Sequence, residues 1–265
     1  MTADSQLVAN QGQPVAGAEK IGVIGSGVMG SGIAQVMAIA GHPVVAFDID
    51  PDIVAAAPGL VAEGRFGIQG AVARGKMTEA EAEAALGRID FTTDRDAAAA
   101  VDVIIEAVPE RLDLKIELFK DLDKECPDHT ILASNSSGYP VQALAVATDR
   151  ADRVIGWHWA SPPPVMKLAE IVRAPQTSDE TTETICRLAA AAGKNPVVIK
   201  DSAMSWGYVT NRVYGAMIRE ANAVVAEGVA SREEVDQLMV DCFRWPSGPY
   251  GMVSGATTGW RAGKK

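Results

Sequence analysis

Ile21 to Asp50 reads IGVIGSGVMGSGIAQVMAIAGHPVVAFDID. An apolar run, Ile21 to Ile24, precedes Gly25-Ser26-Gly27-Val28-Met29-Gly30, and apolar residues at helical spacing (Ile33, Val36, Met37, Ala40) follow. Strand, glycine-rich turn and helix in this order are the setting in which GxGxxG spacing predicts a dinucleotide-binding turn. Gly25 permits the tight turn, Gly27 lets the backbone approach a pyrophosphate, and Gly30 lets the helix pack close to the strand. The free N–H groups of the helix that Val28 and Met29 lead into face the anion.

The second strand, Pro43 to Phe47, ends in Asp48. An acid at this distance from the glycines accepts hydrogen bonds from the adenosine ribose. Its charge repels a 2′-phosphate, so the expected cofactor is NAD rather than NADP. Asp50 is a rival for the same role.

The bulk properties narrow the remaining classes. The chain has 265 residues, 48% hydrophobic and 22% charged, enough for one large domain or two smaller ones. With 34 acidic against 24 basic residues the formal charge is −10, which argues against nucleic acid as a partner. No apolar run approaches the length of a membrane span, so no membrane association is expected. Cys126, Cys186 and Cys242 are odd in number and outside metal-ligand spacing, which suggests free thiols in a reducing, cytoplasmic setting and no metal. Each is expected to be a small buried hydrophobe. Residues 1–19 read as a loose polar tail.

Outward from the glycine turn, Pro51 to Leu86 reads as helices broken near Gly59 and around Gly70 to Gly75. This insertion forms a helical arm carrying Arg65, Arg74 and Lys76. Strands follow at Ile89 to Thr92 and Val101 to Glu106, then a helix from Arg111 to Glu125 with Leu112, Ile116, Phe119 and Leu122 on one face. Thr130 to Ala133 is a strand that delivers Ser134-Asn135-Ser136-Ser137-Gly138 at its carboxyl end, where open α/β sheets bind ligands. Those polar groups either orient a substrate oxygen or cap the helix beginning near Pro140. Val154 to Trp159 and Lys167 to Val172 are further strands. Thr177 to Glu180 matches a capping box opening a helix to Ala192, and Pro196 to Ile199 is the last strand. Beyond the linker Asp201 to Trp206 the pattern is all-helical. Val213, Met217, Ala221, Val224 and Val225 form one stripe, and a second helix is capped at Ser231. The expected fold is α/β, a Rossmann-type doubly wound sheet over residues 20–200 with a helical arm, followed by a small all-α domain over 201–265.

His158 is one of three histidines and lies on a strand. Histidine titrates near neutrality, so it is the natural acceptor of a hydroxyl proton as hydride leaves the same carbon. A carboxylate on the far ring nitrogen fixes the tautomer and favours the protonated form. Glu170 on the adjacent strand is the candidate partner. A structural, buried histidine is the competing reading, while His42 and His129 are expected at the surface.

In order and spacing, VIIEAVPERLDLKIELF, ILASNSSG, VIGWHWASPPPVMKLAEIV, YVTNRV and AEGVASREEVDQL resemble the 3-hydroxyacyl-CoA dehydrogenase family across about residues 20 to 250. The resemblance implies His158 as catalytic base, Glu170 as its partner, and Ser137 and Asn211 as hydrogen-bonding residues for an acyl-CoA substrate. It implies Glu110, Lys115 and Ser137 at the ribose and nicotinamide of NAD, Asp48 at the adenosine ribose, and the Arg65 to Lys76 segment towards CoA. A homodimer is implied as well.

The chain departs from the family pattern at Ser161, where asparagine is usual, and at Ser136, where threonine is common. It also departs in the Asp201 to Tyr208 segment and in ending at Lys265, so a shortened second domain is expected. The alternatives are an NAD-dependent dehydrogenase of a 3-hydroxy acid lacking CoA (carnitine, a sugar acid or a ring carboxylate) and a catalytically silent nucleotide-binding protein.

Overall fold

The computed structural model describes residues 19–202 and 206–252. Among them, eight strands form one sheet in the order β3-β2-β1-β4-β5-β6-β7-β8. These are β1 (Ile21–Ile24), β2 (Val44–Phe47), β3 (Ile89–Thr92), β4 (Val103–Glu106), β5 (Ile131–Ser134), β6 (Val154–Trp159), β7 (Leu168–Arg173) and β8 (Asn195–Lys200). Strands β1 to β6 pair in parallel, β6 and β7 pair antiparallel, and β8 returns parallel to β7. The chemistry of the strands suits this arrangement. β1, β4 and β5 are buried along their whole length, as strands covered on both faces must be.

The first helix, α1 (Val28–Ile39), buries every residue from Gly30 to Ala38. It joins Ile21, Val23, Val44 and Val103 in the main core. The strand order reverses between β1 and β4, and the crevice at that point, beyond the strands' carboxyl ends, is where such sheets take ligands.

The helical arm comprises α2 (Pro51–Glu63), α3 (Ile68–Ala73) and α4 (Glu79–Leu86). Val61, Ile68, Ala82 and Ala85 give it a small core of its own. The expected break at Gly59 does not occur, because α2 runs through Pro58 and Gly59 so that Ala57 and Val61, one turn apart, are both buried. The chain turns instead at Gly64 to Gly67, and Gly70 lies inside α3. Thr78 and Glu81 form a reciprocal capping box on α4.

A short helix the sequence did not signal, α5 (Arg95–Ala99), is capped by Asp94. It is followed by α6 (Leu112–Glu125), α7 (Val141–Ala145) and α8 (Asp179–Ala191). The cap of α8 is Ser178, one residue later than expected, whose hydroxyl accepts from Thr181 N. Thr177 is otherwise engaged: its hydroxyl donates to Val154 O at 2.7 Å and accepts from Ala174 N.

Three further expectations are corrected. His42 is buried, not at the surface, with Nδ1 2.9 Å from Glu19 O. Glu19 is no part of a loose tail, since it pairs with Arg187 and adjoins His42; residues 1–18 lie outside the described residues. Of the cysteines only Cys126 is buried; Cys186 is half-buried and Cys242 exposed.

The chain divides into two compact units, Met1–Trp206 and Gly207–Lys265. In the second, α9 (Val209–Ala226) and α10 (Arg232–Phe243) are described, the latter opened by a Ser231/Glu234 capping box. The apolar stripe of α9 is largely uncovered: Val213 is exposed, Met217, Val224 and Val225 are half-buried, and only Ala221 is buried. No helix among the described residues is long and apolar enough to cross a membrane.

Candidate active site

Parallel pairing puts the carboxyl ends of β1, β2, β4, β5 and β6 on one edge of the sheet. That edge carries the glycine turn after β1, Asp48 after β2, Glu106 and Glu110 at β4, Ser134 to Ser137 at β5, and His158 near the end of β6. The antiparallel return of β7 brings Glu170 to the same edge as the register partner of His158.

The glycine turn meets the steric demands of a pyrophosphate site. Gly25 has φ +99°, and a Cβ there would lie 2.7 Å from Ala107 O. A Cβ on Gly30 would lie 1.6 Å from Gly25 O, whereas one on Gly27 would meet nothing within 4 Å, leaving room for a group to approach. Helix α1 has no side-chain cap at Gly27 and no acid in its first turn, so no side chain of its own occupies its positive end. Among the described residues the buried Ser26 hydroxyl has no hydrogen-bond partner. These features fit a dinucleotide.

Asp48 is tied to the same turn: its Oδ2 accepts from Ser26 N at 2.8 Å and its Oδ1 from Asp50 N at 3.1 Å. Asp50, the rival, caps α2 by accepting from Asp52 N at 2.9 Å.

Lys115 lies one turn into α6 and is 1% exposed. Its ammonium is 2.5 Å from Glu106 Oε1 and 3.2 Å from Glu110 Oε2. Glu106, fully buried at the end of β4, also accepts from Ser134 Oγ at 2.6 Å and Val108 N at 2.8 Å. Burial raises the Glu106 carboxyl above the usual carboxylate range, and the ammonium and the two other donors oppose that rise. Glu110 Oε1 accepts from Ser136 Oγ at 2.6 Å and from Ser137 N at 2.9 Å. Ser136 thus serves the β5 loop and does not cap α7, whose start at Pro140 has no side-chain cap. The substitution of serine for threonine at Ser136 keeps this hydroxyl.

His158 is 6% exposed, and its Nδ1 is 2.6 Å from Glu170 Oε2. A carboxylate only accepts, so Nδ1 is the donor and the neutral ring keeps Nε2 as its basic nitrogen. The neighbourhood is stiffened from two sides. Asn135 Oδ1 accepts from Trp159 N at 3.0 Å, joining the β5 loop to the end of β6. Lys194 Nζ donates to Pro163 O at 2.6 Å and Met166 O at 2.9 Å and lies over the Trp159 ring, pinning the loop that links β6 to β7. Burial pushes Lys194 down to about 8. The hydroxyl of Ser161, in this loop, is buried with no hydrogen-bond partner among the described residues.

The first unit thus gathers Gly25, Gly27, Val28, Met29, Gly30, Asp48, Glu110, Lys115, Ser137, His158 and Glu170 along one edge; Asn211 stands in the first turn of α9 in the second unit. Sequence reasoning missed Glu106 and Lys194, and read Asn135 only as part of the polar cluster after β5. The signal for Glu106 was present: a charge closing an otherwise apolar buried strand requires a partner. Arg65, Arg74 and Lys76 are exposed on the arm, Arg65 over the Phe66 ring. Among the described residues no cluster of metal-ligating side chains occurs.

A dinucleotide turn with an acid after β2, on the edge that also holds a histidine–carboxylate pair, defines an NAD-dependent dehydrogenase. The chain belongs to the 3-hydroxyacyl-CoA dehydrogenase family: residues 20–202 match its NAD-binding domain and residues 207–263 its C-terminal domain. It is 42% identical to a probable 3-hydroxybutyryl-CoA dehydrogenase of Bacillus subtilis, over 89% of this chain and 80% of that protein. It is 39% identical to the human mitochondrial hydroxyacyl-coenzyme A dehydrogenase, over 87% and 74%. The crystal structure of (S)-3-hydroxybutyryl-CoA dehydrogenase from Ralstonia eutropha superposes with a TM-score of 0.83 at 39% identity, covering 88% of this chain and 80% of that one.

Proposed function

We propose that this chain catalyses the reversible, NAD-dependent oxidation of an (S)-3-hydroxyacyl-CoA to the 3-oxoacyl-CoA, with His158 as general base. The observation that carries the reading is the 2.6 Å contact between His158 Nδ1 and Glu170 Oε2 on the edge that bears the glycine turn. Oxidising a secondary hydroxyl releases a proton and a hydride, and NAD supplies the hydride acceptor when bound. His158 Nε2 takes the hydroxyl proton, and Glu170 stabilises the imidazolium through Nδ1. In reduction the same nitrogen returns the proton. Ser137 and Asn211 hydrogen-bond the substrate. Gly25, Gly27, Val28, Met29 and Gly30 hold the pyrophosphate, Asp48 the adenosine ribose, and Glu110, Lys115 and Ser137 the nicotinamide half. Arg65, Arg74 and Lys76 lie towards the CoA phosphates.

The reading includes a cytoplasmic homodimer. Val209 and Val213 on α9, with Leu238 and Phe243 on α10, are exposed apolar side chains that a second subunit would cover, and light scattering reads the mass.

The test is NADH oxidation followed by absorbance with acetoacetyl-CoA, free acetoacetate, and acetoacetyl-CoA with NADPH in its place. Turnover with the CoA ester and NADH is the expected result. Silence with the ester while NADH binds would overturn the acyl-CoA assignment.

A further inference from the structure

The contacts around Lys115 close into a ring. Glu106 Oε1 meets Lys115 Nζ at 2.5 Å, Lys115 Nζ meets Glu110 Oε2 at 3.2 Å, and Glu110 Oε1 takes the Ser136 hydroxyl at 2.6 Å. Ser136 N then donates to Ser134 Oγ at 3.1 Å, and Ser134 Oγ donates to Glu106 Oε2 at 2.6 Å. The ring bridges two loops at the carboxyl ends of neighbouring strands, β4 and β5. One ammonium serves two carboxylates in it, and of those two Glu106 is the one wholly out of water.

A buried ion pair adds little net stability over an apolar pair of the same volume, yet leaving one member unpaired is costly. The pair's distinct contribution is therefore geometric. With Glu106 in place, Lys115 is held on the β4 side, and Glu110 keeps an oxygen for Ser136 Oγ and Ser137 N. Without that charge, Glu110 is the only carboxylate left to Lys115 in the ring, and the two draw together at the expense of the serine loop.

We infer that Glu106 is a positioning residue: through Lys115 and Ser134 it sets where Glu110 and the backbone of Ser137 stand on the cofactor side of the site. The inference rests on the proposed reading of Glu110 and Ser137 as neighbours of NAD.

The experiment is Glu106→Gln, which keeps the side chain's size and removes its charge. NADH affinity is read by fluorescence without substrate, beside melting temperature and the pH profile of turnover. NADH binding is expected to weaken about tenfold, as for the loss of one hydrogen bond to a charged group. The shape of the pH profile should stay that of the wild type, because His158 and Glu170 are outside the ring. A folded Glu106→Gln that binds NADH as the wild type does, at whatever melting temperature, overturns the inference. Should that variant not fold, Ser134→Ala opens the same ring without removing charge. Weakened NADH binding at an unchanged pH profile supports the inference, and wild-type affinity overturns it. The underlying reading is tested apart by Glu110→Gln: wild-type NADH affinity in that variant would show that Glu110 does not neighbour NAD, whatever Glu106→Gln does.

Discussion

His158 on β6 and Glu170 on β7 are direct partners across an antiparallel strand pair, with Nδ1 and Oε2 2.6 Å apart. The pairing decides the tautomer. Glu170→Gln replaces an obligate acceptor by a group that also donates, so the ring can present Nε2–H instead of a base. Turnover is expected to fall by about 10²- to 10⁴-fold, as is that of His158→Ala. Steady-state rates with acetoacetyl-CoA and NADH check this, and near-full activity in either variant would refute the base assignment.

The glycines of the turn should separate binding from folding. A Cβ on Gly27 meets nothing within 4 Å, so Gly27→Ala should melt as the wild type does while NADH affinity drops on the order of tenfold or more. A Cβ on Gly30 would overlap Gly25 O at 1.6 Å, so Gly30→Ala should lose about 3 kcal/mol or more. Thermal melts beside NADH titrations read both quantities.

The two acids after β2 should also part. Asp48→Ser removes the carboxylate tied to Ser26 N, and the preference for NADH over NADPH is expected to fall about 10- to 100-fold. Asp50→Ala removes the α2 cap instead, costing about 1 kcal/mol of stability with cofactor preference unchanged. Comparing kcat/KM with the two cofactors settles which acid reads the ribose.

Lys194 gives a pH dependence of known sign. Its folded value is lowered to about 8 from 10.5, so between those values the unfolded chain holds more protons. Stability from this group therefore rises with pH across that window, and below it the cost of burying the charge is constant. Lys194→Met abolishes the rise and forfeits the bonds to Pro163 O and Met166 O. Melting temperatures should diverge in favour of the wild type as pH climbs from about 8 to 10.5. Cys126, raised to about 11 from 9.0, acts with the opposite sign in both proteins and cancels in the difference.

Much of this molecule is written in local sequence. The glycine turn, the acid after β2, the capping boxes at Thr78 and Ser231 and the buried parallel strands are properties of short stretches, because backbone conformation and hydrophobic period act over a few residues. His158 and Glu170 were visible as candidates for the same reason. Glu170 was the expected partner because the strands are neighbours, but that the two side chains meet depends on the register in which β6 meets β7. Which of Asp48 and Asp50 would cap α2 was likewise decided only by the fold, which gives that place to Asp50. That Ser136 in the cluster after β5 would donate to Glu110 and leave α7 without a side-chain cap was not readable from its local sequence. Glu106 and Lys194, and the contacts that join Lys115 and Ser134 to Glu106, emerge only in the folded sheet, where burial makes each polar group find a partner and the strand order decides which partners are within reach.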